Sequence, residues 1–340
     1  MSTPLNAPAS DVLVGGEVTV DVRLTPADLE AALQRDVRAG LAHPPRTMPP
    51  VWFYDDRGCE LYEQITKLPE YYPFRTEQAL LRRAAGQIAE AAGASVLVEL
   101  GSGNSEKTHE LLGAMAGSTA GLDGYVSFDV AEATLRAAAG EIAAGLGIDV
   151  HAVVGDFREH LDAIPRHGPA RLVAFLGSTI GNFSPPDRRR FLTEVAAHLR
   201  PSDRFLLATD LVKPAERLVA AYDDAAGVTA AFNLNLLAVL NRELDADFDI
   251  DRFEHVAVWN AAERWIEMRL RATSAMTVRL PAVDMVVALD AGEEIRTEIS
   301  SKFTPSQVSA ELAAAGLEAM GLWTDAAGDY LLTLARPAAH

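Results

Sequence analysis

The sequence predicts an α/β fold: a mainly parallel sheet covered by helices on both faces, joined to a second and smaller α+β lobe. Three observations carry that expectation. Apolar runs of strand length at 95–100, 124–130, 151–157, 171–177 and 204–212 alternate with helical segments, the pattern of βαβ units whose strands are buried on both faces. A glycine-rich turn at 101–104 follows the first run and leads into a helix starting near Glu106, an arrangement that brings backbone close to a ligand. Beyond residue 211 the alternation stops, and a block of about 90 residues with its own helix and period-two strands is too long for a loop.

In chain order, the small and polar residues 1–19 are expected to form a flexible tail. Thr25 and Pro26 signal a helix start, and apolar positions recur at helical spacing through residue 42. A proline-rich break at 43–50 precedes the aromatic-rich stretch 51–77. Such clusters ordinarily pack a core, but tyrosines among polar neighbours also suit a small-molecule pocket. A helix at about 76–92 leads into SVLVEL, and EATLRAAAGEIAAGL and PDRRRFLTEVAAHL read as helices between later strands. The inserted block carries a helical stretch at 214–244 and strand-like alternation at 255–260, 265–272, 277–290 and 293–300; residues 312–337 return to helix, strand, turn and strand.

Composition narrows the function. The 340 residues hold 48 Asp and Glu against 30 Lys and Arg, a net charge of −18, which disfavours nucleic acid and anionic membranes as partners. The single Cys59 excludes an intrachain disulfide framework, and the eight scattered histidines form no ligand pair, so no metal is expected. No signal-peptide pattern and no run of 18 apolar residues is present, so a cytoplasmic protein is expected.

The most specific local signal is VELGSGNSEKT at 98–108. Two phosphate-binding fingerprints nearly fit, G-x-G-x-x-G and G-x-x-x-x-G-K-T, but both need glycine where this chain has Glu106. A carboxylate and a Cβ there oppose the approach of a phosphate, which weakens the nicotinamide-dehydrogenase and P-loop readings together. The remaining Glu-x-Gly-x-Gly resembles the first motif of Rossmann-like, S-adenosylmethionine-dependent class I methyltransferases. Asp129 ends the next strand, where a carboxylate can bind ribose hydroxyls. Asp156 and Phe157 end the third, suited to an adenine amino group and an adenine face. Each alone reads as an ordinary strand-end turn; three in the right order do not.

Taken with LPEYYPFRTE, LGSTIGNFSP, TDLVKP, YDDAAGVTAAFNLNLL and EISSKF, these motifs resemble the histidine Nα-methyltransferases of ergothioneine biosynthesis from about residue 25 to the C-terminus. The resemblance implies three methyl transfers from S-adenosylmethionine to the α-amine of L-histidine, giving hercynine. It implies a methyltransferase domain of 76–211 with 302–340 and a substrate-binding domain of 20–75 with 212–301. By position, Tyr54, Gly101, Lys107, Asp129, Asp156 and Phe157 would hold the methyl donor. Tyr71, Asn182, Tyr222, Glu298 and Ser300 would hold histidine, with Gly177, Thr179 and Met268 lining the site. Tyr62 stands where relatives commonly have Phe. A monomer is expected.

The residue chemistry is compatible with that assignment. In an extended EEIRTEIS, Glu298 and Ser300 share a face and can address an imidazole together, the carboxylate accepting its N–H and the hydroxyl donating or accepting. An exposed strand face is the alternative. Tyr71 and Tyr222 can offer hydroxyls to the substrate's carboxylate or amine, or pack as core; Asn182 suits substrate contact or a turn; Met268 shares its strand face with Ile266 and Leu270 and reads first as core; Lys107 can be solvated. No base is identified beyond Tyr71, Tyr222, water or prior loss of the proton to solvent. Another small amino acid or amine as substrate, and a SAM-binding regulator without turnover, are the remaining alternatives.

Overall fold

The computed structural model describes residues 16–165 and 168–339; residues 1–15 of the expected tail lie outside them. One sheet contains β1 (Val18–Val22), β3 (Val96–Leu100), β4 (Gly124–Asp129), β5 (Asp149–Val154), β6 (Arg171–Phe175), β7 (Arg204–Asp210), β13 (Leu317–Thr324) and β14 (Tyr330–Pro337), in the order β1-β5-β4-β3-β6-β7-β14-β13. The first six pair in parallel, while β14 is antiparallel to both β7 and β13.

Alternate residues of these strands feed two apolar layers. Leu97, Tyr125 and Ala152 pack with α3 (Tyr72–Ala92), α4 (Thr108–Ala116) and α5 (Glu132–Leu146), whereas Val98, Val126 and Val153 pack with α6 (Pro185–His198) and α9 (Pro305–Ala314). Burial on both faces explains why the strands read as unbroken apolar runs. The helix starts follow from local chemistry: Ser184 accepts the Asp187 N–H at α6, and Thr304 accepts the Gln307 N–H at α9, each with proline in the first turn. After β3 the chain places β4 on one side and β6 on the other, so the carboxyl ends of β3 and β6 flank the switch point where ligands bind in such sheets.

The second lobe is built on a four-stranded sheet of β2 (Arg46–Thr47), β12 (Glu294–Ser301), β9 (Trp265–Ala272) and β8 (Phe253–Asn260), with a separate hairpin of β10 (Met276–Leu280) and β11 (Met285–Leu289). Its apolar cluster joins Leu33 and Val37 of α1 (Pro26–Leu41), Leu61 of α2 (Asp56–Thr66), Leu218 of α7 (Ala215–Ala220) and Leu236 of α8 (Val228–Leu244) to Ile266 and Leu270 of β9. This cluster is separate from the two layers packed on the large sheet.

Four details differ from expectation. Residues 18–22, assigned to the tail and the substrate-binding domain, form β1 along the edge of β5, supplying the hydrogen bonds that edge would otherwise lack. The helix expected at 76 begins at Tyr72, because Pro73 in its first turn favours initiation. The helix expected near Glu106 begins at Thr108, after a tight turn with Ser105 at φ 55°. The stretch 214–244 is two helices: Asp224 accepts the N–H groups of Val228 and Thr229 at 3.0 and 2.7 Å, and Gly227 turns at φ 74°, which starts α8 anew.

Candidate active site

Gly101 and Gly103, with φ of 71° and 52°, turn the chain sharply after β3. The N–H groups of Gly101 and Ser102 donate to the Phe128 carbonyl at 2.7 and 3.1 Å, holding the turn against β4. The Asp129 carboxylate accepts the Gly103 N–H at 2.8 Å and the Ala131 N–H at 3.0 Å, so one side chain ties this turn to the next. Burial nevertheless pushes its pKa up against those hydrogen bonds. A Cβ on Gly101 would stand 3.3 Å from the Phe157 ring, and Phe157 itself is held edge-on against Phe175 and Phe191. The bare glycine and the aromatic ring form a slot suited to a flat heterocycle, with Asp129 beside it for a diol.

Two of the residues on this side are already engaged. Asp156 takes hydrogen bonds on both oxygens from Arg158, through its Nε at 3.0 Å, its Nη2 and its backbone N–H. With its lone pairs so occupied, contact with an adenine amino group requires Arg158 to give way. Lys107 is not solvated: it pairs with the buried Glu77 beneath the turn at Gly177, whose N–H donates to Glu77 at 2.7 Å. Burial alone would lower the Lys107 pKa, and Glu77 more than reverses that. Gly177, at φ 74°, leaves room where a Cβ would lie 3.2 Å from the Thr179 hydroxyl and 3.5 Å from Lys107 Nζ. Glu106 stays exposed at the cavity wall, accepting a hydrogen bond from Gln78.

Across the cavity a register shift decides the geometry. Along β12, Arg296 pairs with Arg269, but the next pair is Glu298 with Met268, so Thr297 is an extra residue. In strict alternation Glu298 and Ser300 would share the outward face with Glu294 and Arg296. The bulge reverses the phase and sets them opposite Met268 and Ile266, which belong to the buried cluster. The 3-10 turn Thr179–Asn182 reaches the same place because Gly181 packs against the backbone of Ser301, where a Cβ would come within 3.0 Å of the carbonyl oxygen. Tyr54, Tyr62, Tyr71 and Tyr222 form an aromatic wall, successive ring centroids lying 5.7, 6.4 and 6.2 Å apart.

Beneath this wall lies a buried ionic cluster. Lys302 donates to Tyr222 Oη, Ser300 Oγ and Asp210 Oδ2, each at 2.9 Å, and Tyr222 and Ser300 share a hydrogen bond of 2.7 Å. Asp210 also accepts from Tyr72 at 2.6 Å and pairs with Lys213. Burial would raise the Asp210 pKa, but the two lysines bring it below the usual range; the same pairing carries the Lys302 pKa upward against its burial. Glu298 has no hydrogen-bond donor among the described residues, and burial lifts its pKa to about 7 despite nearby Lys302. Tyr71 is pushed well above the ordinary tyrosine range by burial, and Tyr222 is raised too, so neither phenol is ionised near neutrality.

All fourteen residues singled out from the sequence line one cavity of about 730 Å³ between the lobes. Glu77, Arg158, Asp210 and Lys302 were not singled out. Glu77 carried a signal: it falls on the apolar stripe of α3 with Pro73, Leu80, Leu81 and Ala84, where a charge needs a partner.

The family profile described as "Histidine-specific methyltransferase, SAM-dependent" matches residues 33–337. The chain is 58% identical over 305 residues to a histidine N-alpha-methyltransferase of Mycolicibacterium smegmatis, covering 89% of this chain and 94% of that protein. It is 56% identical, with the same coverage, to the histidine N-alpha-methyltransferase of Mycobacterium tuberculosis. Ergothioneine biosynthesis protein 1 of Neurospora crassa is 28% identical over 82% of this chain and 32% of its own length. The chain belongs to the family of SAM-dependent, histidine-specific methyltransferases.

Proposed function

We propose that this protein transfers three methyl groups in succession from S-adenosylmethionine to the α-amine of L-histidine, forming hercynine, the first step of ergothioneine biosynthesis. The observation that carries the substrate choice is the bulged end of β12, which turns Glu298 and Ser300 into the cavity that Gly101 and Asp129 also line. A carboxylate with no hydrogen-bond donor among the described residues, two residues from a hydroxyl, matches the two nitrogens of an imidazole.

The methyl donor supplies an electrophilic methyl on a sulfonium; everything else is positioning. Gly101 and Phe157 are assigned the adenine, Asp129 the ribose, with Tyr54 closing the site and the Lys107–Glu77 pair supporting the turn at Gly177. Glu298 accepts the imidazole N–H. Hydrogen counting then orders the other contacts. Lys302 spends its three N–H bonds on Tyr222, Ser300 and Asp210, and one hydroxyl hydrogen is used between Tyr222 and Ser300. That leaves the pair one outward donor. When Ser300 donates to the second ring nitrogen, Tyr222 must donate to Ser300, so the substrate's carboxylate and amine fall to Asn182 and Tyr71 with Thr179 nearby. Tyr222 is thereby a support for Ser300 rather than an independent ligand.

The attacking amine must be neutral. The raised pKa values of Tyr71 and Tyr222 make them poor bases, so the proton leaves to water before the amine is seated, and each later transfer requires the same loss. No metal takes part in this scheme, and the protein acts as a cytoplasmic monomer without a nucleic-acid or membrane partner. Transfer of labelled methyl groups to a panel of free amino acids tests the assignment: label should enter histidine, and transfer to another amino acid but not to histidine overturns it.

A further inference from the structure

We propose that Thr297, Asn233 and His255, none of which lines the cavity, form a buried hydrogen-bond relay that sets the enzyme's grip on the imidazole by holding the β12 bulge. The inference rests on the proposed histidine reading. Thr297 is the extra residue of the bulge and is fully buried. Its hydroxyl donates to Asn233 Oδ1 at 2.6 Å, with the Met268 carbonyl oxygen a second acceptor at 3.1 Å. Asn233, fully buried on α8, donates through Nδ2 to the Arg269 carbonyl at 3.0 Å and to His255 Nδ1 at 2.9 Å. His255 Nε2 donates in turn to the Tyr222 carbonyl at 2.8 Å.

Every assignment in this relay is forced by its neighbours. The Arg269 carbonyl can only accept, so the Asn233 amide nitrogen must face it and its oxygen must face Thr297. His255 Nδ1 then faces a donor and is an acceptor, which puts the ring proton on Nε2, toward a carbonyl that requires it. Both amide hydrogens of Asn233 are used, and its oxygen accepts from Thr297. A β-bulge is otherwise a local loss of ladder bonding, and here the residue left out of register is tied to α8 instead.

The attachments explain why the relay bears on recognition. It holds Tyr222 and Met268 through their carbonyls and Glu298 through the preceding residue, so three cavity groups of the second lobe are set by one amide. If the bulge relaxed into a regular ladder, Glu298 and Ser300 would turn to the face of Glu294 and Arg296. These residues are therefore positioning residues, and their loss should weaken histidine while leaving the methyl-donor side intact.

The test compares Thr297→Val, which keeps the shape and removes the hydroxyl, with Thr297→Ser, which keeps the hydroxyl. Histidine and S-adenosylhomocysteine binding are titrated separately, and KM and kcat are measured for each. The valine variant should bind histidine about tenfold or more weakly, with KM rising more than kcat falls and S-adenosylhomocysteine affinity within about twofold of the parent; serine should restore histidine binding. If the valine variant does not fold, Thr297→Ala carries the same comparison, with S-adenosylhomocysteine affinity as the folding control. An unchanged histidine affinity, or equal loss of both affinities, overturns the relay. Absence of histidine binding by the parent protein overturns the substrate reading instead.

Discussion

Replacing Glu298 with Gln should stabilise the free protein at high pH while weakening its hold on histidine. The carboxyl sits in a partly buried cavity wall with no hydrogen-bond donor among the described residues, and burial raises its pKa from 4.5 to about 7. Its folded-state pKa is above its unfolded one, so the folded state binds more protons between those values and loses stability as pH rises through them. The ionisation penalty is nearly absent below pH 4.5 and complete above about pH 8. At about 1.36 kcal/mol per pH unit, its full size is roughly 3 kcal/mol, an upper value because water reaches the cavity. Glutamine removes the ionisation and keeps the shape. In urea unfolding without ligands, Glu298→Gln should therefore gain under about 1 kcal/mol at about pH 5 and up to about 3 kcal/mol at about pH 8.5. Histidine titrations at the higher pH should show binding weakened about tenfold, the difference between a charge-assisted and a neutral hydrogen bond. A stability gain that does not grow with pH would refute the burial argument, and unchanged histidine affinity would refute the role of the charge.

Other perturbations separate the two halves of the site. Asp129→Ala removes the acceptor of the Gly103 and Ala131 N–H groups and should lower S-adenosylhomocysteine affinity at least tenfold with histidine affinity little changed, as separate titrations would reveal. Gly101→Ala meets both a φ of 71° and the Phe157 ring at 3.3 Å; it should cost about 1–2 kcal/mol in unfolding experiments and block the methyl donor more than histidine. Lys302→Met removes one of the two lysines paired with Asp210 and should cost roughly 3 kcal/mol, read by urea unfolding, with a larger rise in KM for histidine than for S-adenosylmethionine.

What could be read from the sequence was whatever depends on local order. The strand ends carrying Gly101, Asp129 and Phe157 were legible because a parallel sheet with covered faces leaves long apolar runs and places its ligand residues just after them. The bulge was not legible. Period-two reading of 293–300 puts Glu298 and Ser300 together, which holds, but on the face of Glu294 and Arg296, which does not, since one extra residue at Thr297 inverts the face. The pairings of Lys107 with Glu77 and of Lys302 with Asp210 span 30 and 92 residues, and no local pattern specifies such partners. Arg158 lies only two residues from Asp156, yet its attachment changes what that carboxylate can bind.

The central claim is that the cavity holds histidine by its ring and exposes its α-amine to the methyl donor. A tandem mass spectrum of the product formed from L-histidine and S-adenosylmethionine tests it most directly. Three methyl groups on the α-nitrogen, with the imidazole unmodified, are the predicted result; methylation of a ring nitrogen, or no methylated histidine, would contradict the account.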